Sequence, residues 1–290
     1  MQVALLGLGL IGGSVAHALR AADPTGDRWR LAAWTPSGAG PATALAAGIV
    51  DSAPADIEAV LRGADLVVLA APPLACMDLL AVLGELRDLP AAGATVTDVA
   101  STKAALTLAA IAAGIPFVGG HPMAGRETSG FDAADPDLFR GRPWVVTEAV
   151  GGGDPERVRE LVLACGAIPV SLDAARHDRL VASISHVPLL TSVALVEAVG
   201  GMGPAPAPDW FDAAALAATG WRDTTRLARG DATMGAEIAA SNAAAIAGVL
   251  RVYRDRIDAW IDLLETPDGP SPEELRDRLQ AARDRLEREG

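Results

Sequence analysis

Residues 3–20 read Val3-Ala4-Leu5-Leu6-Gly7-Leu8-Gly9-Leu10-Ile11-Gly12-Gly13-Ser14-Val15-Ala16-His17-Ala18-Leu19-Arg20, and this stretch decides the fold. Val3–Leu6 is a short apolar run of strand type. Gly7, Gly9 and Gly12 follow as G-x-G-x-x-G, and a helical pattern opens at Ile11. Strand, glycine turn and helix together are the context in which this motif holds a dinucleotide. Gly7 allows the tight turn, Gly9 lets the backbone approach a pyrophosphate, and Gly12 lets helix and strand pack closely. The helix start at Leu10 and Ile11 presents free N–H groups and a positive dipole end to the phosphates. A structural glycine-rich turn is the alternative; the agreement of all three elements favours the cofactor site. His17, on the helix, reads as structural.

Working outward, further short apolar runs occupy Arg30–Thr35, Leu66–Ala70, Thr95–Val99, Phe117–Gly119 and Trp144–Thr147. They do not alternate, which suits a parallel sheet buried on both faces. Helical stretches lie between them near Pro41–Ala47, Asp56–Arg62, Leu74–Leu86 and Lys103–Ala113. Strands alternating with helices predict an α/β, Rossmann-type doubly wound sheet. From Asp173 onward no strand is evident. Asp178–Val199 and Ala232–Leu264 carry helical periodicity, Gly200–Pro208 is a Gly/Pro loop, and Pro272–Glu289 reads as a charged helix capped by Ser271. The expected organisation is a dinucleotide-binding domain over 1–172 and an all-helical domain over 173–290. The apolar content of the helical part (Leu189, Leu190, Leu195, Val196, Ile238, Ile246, Leu250, Trp260) predicts a homodimer through it.

The 290 residues carry a net charge of −13 with 50% hydrophobic content. That excludes wholesale disorder and argues against nucleic acid, which needs a basic face. Two cysteines make no disulfide framework and fit a cytoplasmic location. Residues 1–19 lack a basic start and are broken by glycines, so they do not read as a signal peptide. The apolar run 104–125 is broken at Gly114-Ile115-Pro116, and no membrane partner is expected. The four histidines form no metal-ligand spacing, so no metal is expected.

The end of the second strand usually carries an acid for the ribose 2′-hydroxyl of NAD. Here it reads Ala33-Trp34-Thr35-Pro36-Ser37, with neither an acid nor an arginine. Thr35 and Ser37 can hydrogen-bond a phosphate, which leans the cofactor slightly from NAD toward NADP. Ala71 and Pro72, after the third strand, and the single lysine, Lys103, which reads as lying near a phosphate or as supporting the site from behind, complete the expected cofactor set.

Three further segments carry chemistry: Asp98-Val99-Ala100-Ser101-Thr102-Lys103, Gly119-Gly120-His121-Pro122-Met123-Ala124-Gly125-Arg126-Glu127, and Gly220-Trp221-Arg222-Asp223-Thr224-Thr225-Arg226. The first two fall at carboxyl ends of strands, where open α/β sheets bind ligands. With Gly7–Ser14, Glu127-Thr128-Ser129-Gly130 and Ser185-His186-Val187-Pro188, they make the chain over roughly 1–265 resemble the prephenate/arogenate dehydrogenases of tyrosine biosynthesis. The resemblance implies oxidative decarboxylation: a hydride leaves the ring carbon bearing the hydroxyl, and the ring carboxylate departs as CO₂. It implies His121 as the base for the ring hydroxyl and Ser101 as its orienting partner. Arg226 becomes a carboxylate ligand helped by Arg222 and Arg126, Glu127 an acid at the mouth of the site, and His186 a histidine at the substrate in the helical part. Relatives often continue Ser-His-x-Pro with a second histidine; here that position is Leu189, so no role transfers to it.

The residues alone leave alternatives. Ser101 could cap the helix near Lys103, Arg222 and Arg226 could pair on the surface, and His177-Asp178 could be a helix-surface pair. Another Rossmann-plus-helical oxidoreductase, such as a β-hydroxyacid dehydrogenase or pyrroline-5-carboxylate reductase, fits the same plan. Several of those place a lysine in the helical half, and this chain has none after Lys103. A dinucleotide sensor without turnover would keep the glycine loop but would not need His121, Ser101 and Arg226 together.

Overall fold

The computed structural model describes residues 1–290 except Glu127, Ser129, Pro204, Asp268 and Gly290, and for Glu289 the backbone only. Seven strands form one sheet: β1 (Gln2–Leu6), β2 (Arg30–Trp34), β3 (Leu66–Leu69), β4 (Thr95–Asp98), β5 (Phe117–Pro122), β6 (Pro143–Val150) and β7 (Ile168–Ser171). Their order is β2-β1-β3-β4-β5-β6-β7. The chain runs from β1 outward to β2, then returns past β1 to β3, so the order reverses at β1. That is the topological switch point, and the glycine loop leaves β1 there.

Helices α1 (Leu10–Ala22), α2 (Ala39–Ala46), α3 (Ile57–Leu61), α4 (Pro73–Glu85), α5 (Ala104–Ala113) and α6 (Pro155–Ala164) alternate with the strands. Two apolar clusters follow, one per face. Val3, Leu5, Val15, Leu19, Val68 and Phe139 belong to one, and Ala4, Leu6, Val67, Leu69, Leu80 and Leu106 to the other. Alternate residues of β1 and β3 thus serve opposite faces, which is why both strands are apolar throughout.

Two features depart from the expected sheet. β6 is antiparallel to β5, so the sheet is mixed. Among its described residues the connection between them holds no α-helix, only the 3₁₀ turn Phe131–Ala133, and an antiparallel neighbour needs no helical crossover. β7, parallel to β6, and helix α6 have no counterpart in the sequence reading. β7 is an edge strand containing Pro169, with its ends exposed, so it lacks the apolar signature of a buried strand.

The remaining helices are α7 (Ala174–Val181), α8 (Val187–Gly200), α9 (Trp210–Ala215), α10 (Thr219–Thr224), α11 (Ala232–Ser241), α12 (Ala243–Leu264) and α13 (Pro272–Glu289). A five-residue π-turn, Ala182–His186, joins α7 to α8. The long helix expected over 232–264 is two helices broken at Asn242.

Compactness divides the chain later than composition does. Met1–Ile246 forms one unit and Ala247–Gly290 another. Within the first, α11 is tied to the sheet half: Glu237 accepts the Leu74 N–H at the start of α4, and Thr102 donates to Ser241 Oγ at 3.0 Å. Within the second, the Arg278 guanidinium lies 4.0 Å from the Trp260 ring centroid and donates to the Ala259 and Arg256 carbonyls.

Candidate active site

The glycine loop is built as its spacing requires. Gly7 has φ +110°, and a Cβ there would lie 2.2 Å from the Ala70 carbonyl oxygen. A Cβ on Gly12 would lie 2.4 Å from the Gly7 oxygen. Both contacts are impossible for any side chain, so β1, β3 and α1 meet only because these positions are bare. Gly9 differs, since nothing lies within 4 Å of its would-be Cβ. Its open face is a cradle that a pyrophosphate can approach, and the residues present fit a bound dinucleotide.

That face borders a cavity of about 350 Å³. Its walls include Gly9, Leu10, Ile11, Ala71, Pro72, Ser101, His121 and Arg126, and Met234 reaches in from α11. The dinucleotide loop and the two strand-end segments therefore share one cavity. Thr35 and Ser37 lie outside its wall. The Thr35 hydroxyl accepts the Gly38 N–H at 3.1 Å, closing the turn into α2, and Ser37 is exposed.

His121 is the penultimate residue of β5 itself, just before Pro122, rather than in a loop beyond the strand. Its Nδ1 lies 2.8 Å from His177 Nε2, and His177 Nδ1 lies 2.8 Å from Asp178 Oδ1. His177 and Asp178, read as a possible surface pair, are buried at 0% and 4% exposure. The Asp178 carboxylate also accepts the N–H groups of Lys103 and Ala104 at 2.8 and 2.9 Å. It thereby caps α5 from α7.

Those donors fix the protons. Burial pushes the Asp178 carboxyl up, but the His177 hydrogen bond and two backbone N–H groups outweigh it and hold the group below the usual range. An ionised Asp178 only accepts, so His177 Nδ1 carries hydrogen and donates. In a neutral His177 the Nε2 must then accept, so His121 Nδ1 donates. That leaves the His121 Nε2 lone pair as the free acceptor. Burial pushes His121 well below its ordinary value, and the positive forms of His177, Lys103 and His186 act in the same direction. The ring is a neutral base at neutral pH.

Ser101 is free of the capping duty that was the alternative for it, because Asp178 performs it. Its hydroxyl makes no hydrogen bond among the described residues and borders the cavity. Lys103, expected beside a phosphate, is instead wholly buried and ion-paired with Asp98. The reason is local: Asp98 is a buried carboxylate at the end of β4 and needs a cation. Asp98 also accepts the Gly120 and Ala100 N–H groups at 3.0 and 2.9 Å. The pair therefore clamps together the segments that carry Ser101 and His121.

His186 is 2% exposed, at the end of the π-turn. Asn242 Nδ2 donates both to the Asp178 carbonyl at 2.8 Å and to His186 Nδ1 at 3.1 Å. The His186 hydrogen is thus on Nε2, which is buried without a hydrogen-bond partner among the described residues. Burial pushes this ring down to about 4, with Asp178 opposing.

Arg222 and Arg226 are exposed, on α10 and on the short 3₁₀ turn Arg226–Arg229, and neither borders the His121 cavity. Glu127 lies outside the described residues. Arg126 does border the cavity, in the connection from β5 to β6. The same connection packs against α1: Phe131 stacks on His17 with ring centroids 5.3 Å apart, and the Asp135 N–H donates to Ser14 Oγ at 3.0 Å.

Comparison with known proteins matches both halves of the chain to one family. Residues 31–169 match the family model described as prephenate dehydrogenase, nucleotide-binding domain, and residues 173–281 match prephenate dehydrogenase, dimerization domain. The chain is 32% identical over 254 residues to prephenate dehydrogenase of Lactococcus lactis, covering 83% of this chain and 65% of that one. It spans about two thirds of the length of such curated relatives. The crystal structure of Synechocystis arogenate dehydrogenase superimposes with a TM-score of 0.78 at 31% identity, covering 99% of this chain and all of that one. The fold is also that of Aquifex aeolicus prephenate dehydrogenase, crystallised with hydroxyphenyl propionate and NAD+ (TM-score 0.85, 24% identity, covering 100% and 98%). On both halves, the chain belongs to the prephenate dehydrogenase family.

Proposed function

We propose that the chain catalyses the NAD(P)-dependent oxidative decarboxylation of prephenate or arogenate, as a step of tyrosine biosynthesis. The observation that carries this reading is the wired base: His121, backed by His177 and Asp178, at a cavity bordered by the dinucleotide loop. The His121 Nε2 takes the proton of the ring hydroxyl. The His177–Asp178 pair stabilises the imidazolium so formed, and the Ser101 hydroxyl orients the reacting group. Gly9 and the start of α1 would hold the dinucleotide, whose nicotinamide would supply the hydride acceptor. Loss of the ring carboxylate as CO₂ then makes the ring aromatic. The family resemblance gives Arg226, with Arg222, to a substrate carboxylate, although neither borders the cavity, and gives the buried Nε2–H of His186 to the substrate side of the site.

The cofactor leans to NADP, since the end of β2 carries Thr35 and Ser37 and no acid. The active form is a homodimer through the helical half, a reading supported by the dimerization-domain match, and its location is the cytoplasm, in keeping with two cysteines and no disulfide framework.

The test is steady-state absorbance at 340 nm with prephenate and arogenate, each against NAD+ and NADP+. Reduction with at least one pairing is expected. Silence with both substrates, while cofactor binding is confirmed, would favour a non-catalytic sensor.

A further inference from the structure

The His121 cavity is apolar on most of its wall, and the substrates proposed for it are anions. Among the described residues Arg126 is the one formally charged side chain that borders it. Arg126 is ion-paired with Asp135 and half exposed. Asp135 does not depend on that pair for its place. Its Oδ1 accepts the Asp137 N–H at 2.9 Å, and its own N–H donates to Ser14 on α1. The Asp137 N–H first, then Arg126, hold its carboxyl below the ordinary range. The carboxylate is thus a fixed post, whereas the arginine is a long side chain at the rim of a cavity that lacks any other described cation.

We propose that Arg126 is a specificity-determining residue that leaves Asp135 to bind the side-chain carboxylate of the substrate, with Asp135 as its resting partner. This rests on the functional reading above and deepens it. Once it has left Asp135 the guanidinium carries its full positive charge, which favours the more anionic of the two substrates, prephenate, over arogenate, whose added ammonium it repels. Release from a carboxylate partner on ligand arrival also keeps an unpaired cation from sitting on an apolar wall.

The experiment compares R126Q, R126K and D135N in the full chain. R126Q is expected to raise KM for prephenate about 10- to 100-fold, and for arogenate severalfold less. Its kcat should stay within about threefold and its cofactor KM should not move. R126K should recover part of the loss, and D135N should lower the prephenate KM or leave it within twofold. A purely structural pin across the loop would make R126Q and D135N equally harmful, and that result overturns the proposal. So does a raised cofactor KM with unchanged substrate KM, which would make the anion a cofactor phosphate. If wild type turns over neither substrate, the functional reading fails by itself. Calorimetry with hydroxyphenyl propionate on the cofactor-loaded protein then still reads Arg126: binding kept in D135N and lost in R126Q supports it, and no difference between them, or no binding by wild type, overturns it.

Discussion

The glycine loop and the histidine relay lie on the same cavity yet are made in opposite ways. The loop is six consecutive residues acting largely through backbone, and its three glycines matter by lacking side chains. The relay is three side chains from two distant segments, 56 residues apart between His121 and His177, and each matters through the atom it presents. A local device is set by chain geometry alone. A distributed device exists only after tertiary packing has brought β5 and α7 together, and substitutions should separate the two accordingly.

The largest expected effect is on the relay. His121→Asn should lower kcat by roughly 10²–10⁴-fold with cofactor affinity almost unchanged, as for loss of a general base. Turnover at the wild-type level in that variant would remove His121 as the base. Asp178→Asn comes next. It leaves a carbonyl oxygen to cap α5 but no longer guarantees the proton on His177 Nδ1, so kcat should fall by about 10²-fold. Stopped-flow turnover with circular dichroism separates this from unfolding; a folded variant with full kcat would detach Asp178 from the relay.

The loop gives an intermediate and internally contrasted result. Gly7→Ala forces a Cβ into the Ala70 carbonyl at a positive φ and should destabilise the fold by at least ~2 kcal/mol in urea titration. Gly9→Ala meets no protein atom, so its melting temperature should hold while cofactor Kd rises about tenfold. Equal stability losses in both variants would mean that Gly9, too, serves packing.

The smallest effect concerns acid stability. His121 and His186 have folded-state pKa values below the ordinary histidine value, burial being the main cause, with His186 near 4. The stabilisation from keeping these rings neutral is therefore complete above about 6.5 and is lost as pH falls from there through about 4. The urea midpoint should drop between pH 7 and pH 4.5 more steeply in wild type than in His186→Asn. Parallel slopes would assign the acid transition to other groups.

Legibility in the sequence follows the same division. The buried strands, the glycine loop and the strand-end placement of Ser101 and His121 could be read because each is encoded within a few residues. β7 was hidden because an exposed edge strand with Pro169 lacks the apolar pattern of its neighbours. The turn from β5 back to β6 was hidden because strand direction depends on the path of the connection, not on the strand residues. His177 and Asp178 were missed because adjacency in a helix rich in charge reads as surface. The available signal was that Arg176 and Arg179 flank the pair and would face outward while it faces in. Lys103 was misplaced because its buried partner, Asp98, is decided by packing beneath the sheet end.

The Asp178 carboxylate ends one chain of proton donors and begins one helix. Ordering the turn that leads into α5 and orienting the imidazole on β5 are in consequence a single cooperative event. A chain in which α7 has not yet docked has neither, so activity reports the docking of that one helix on the sheet half.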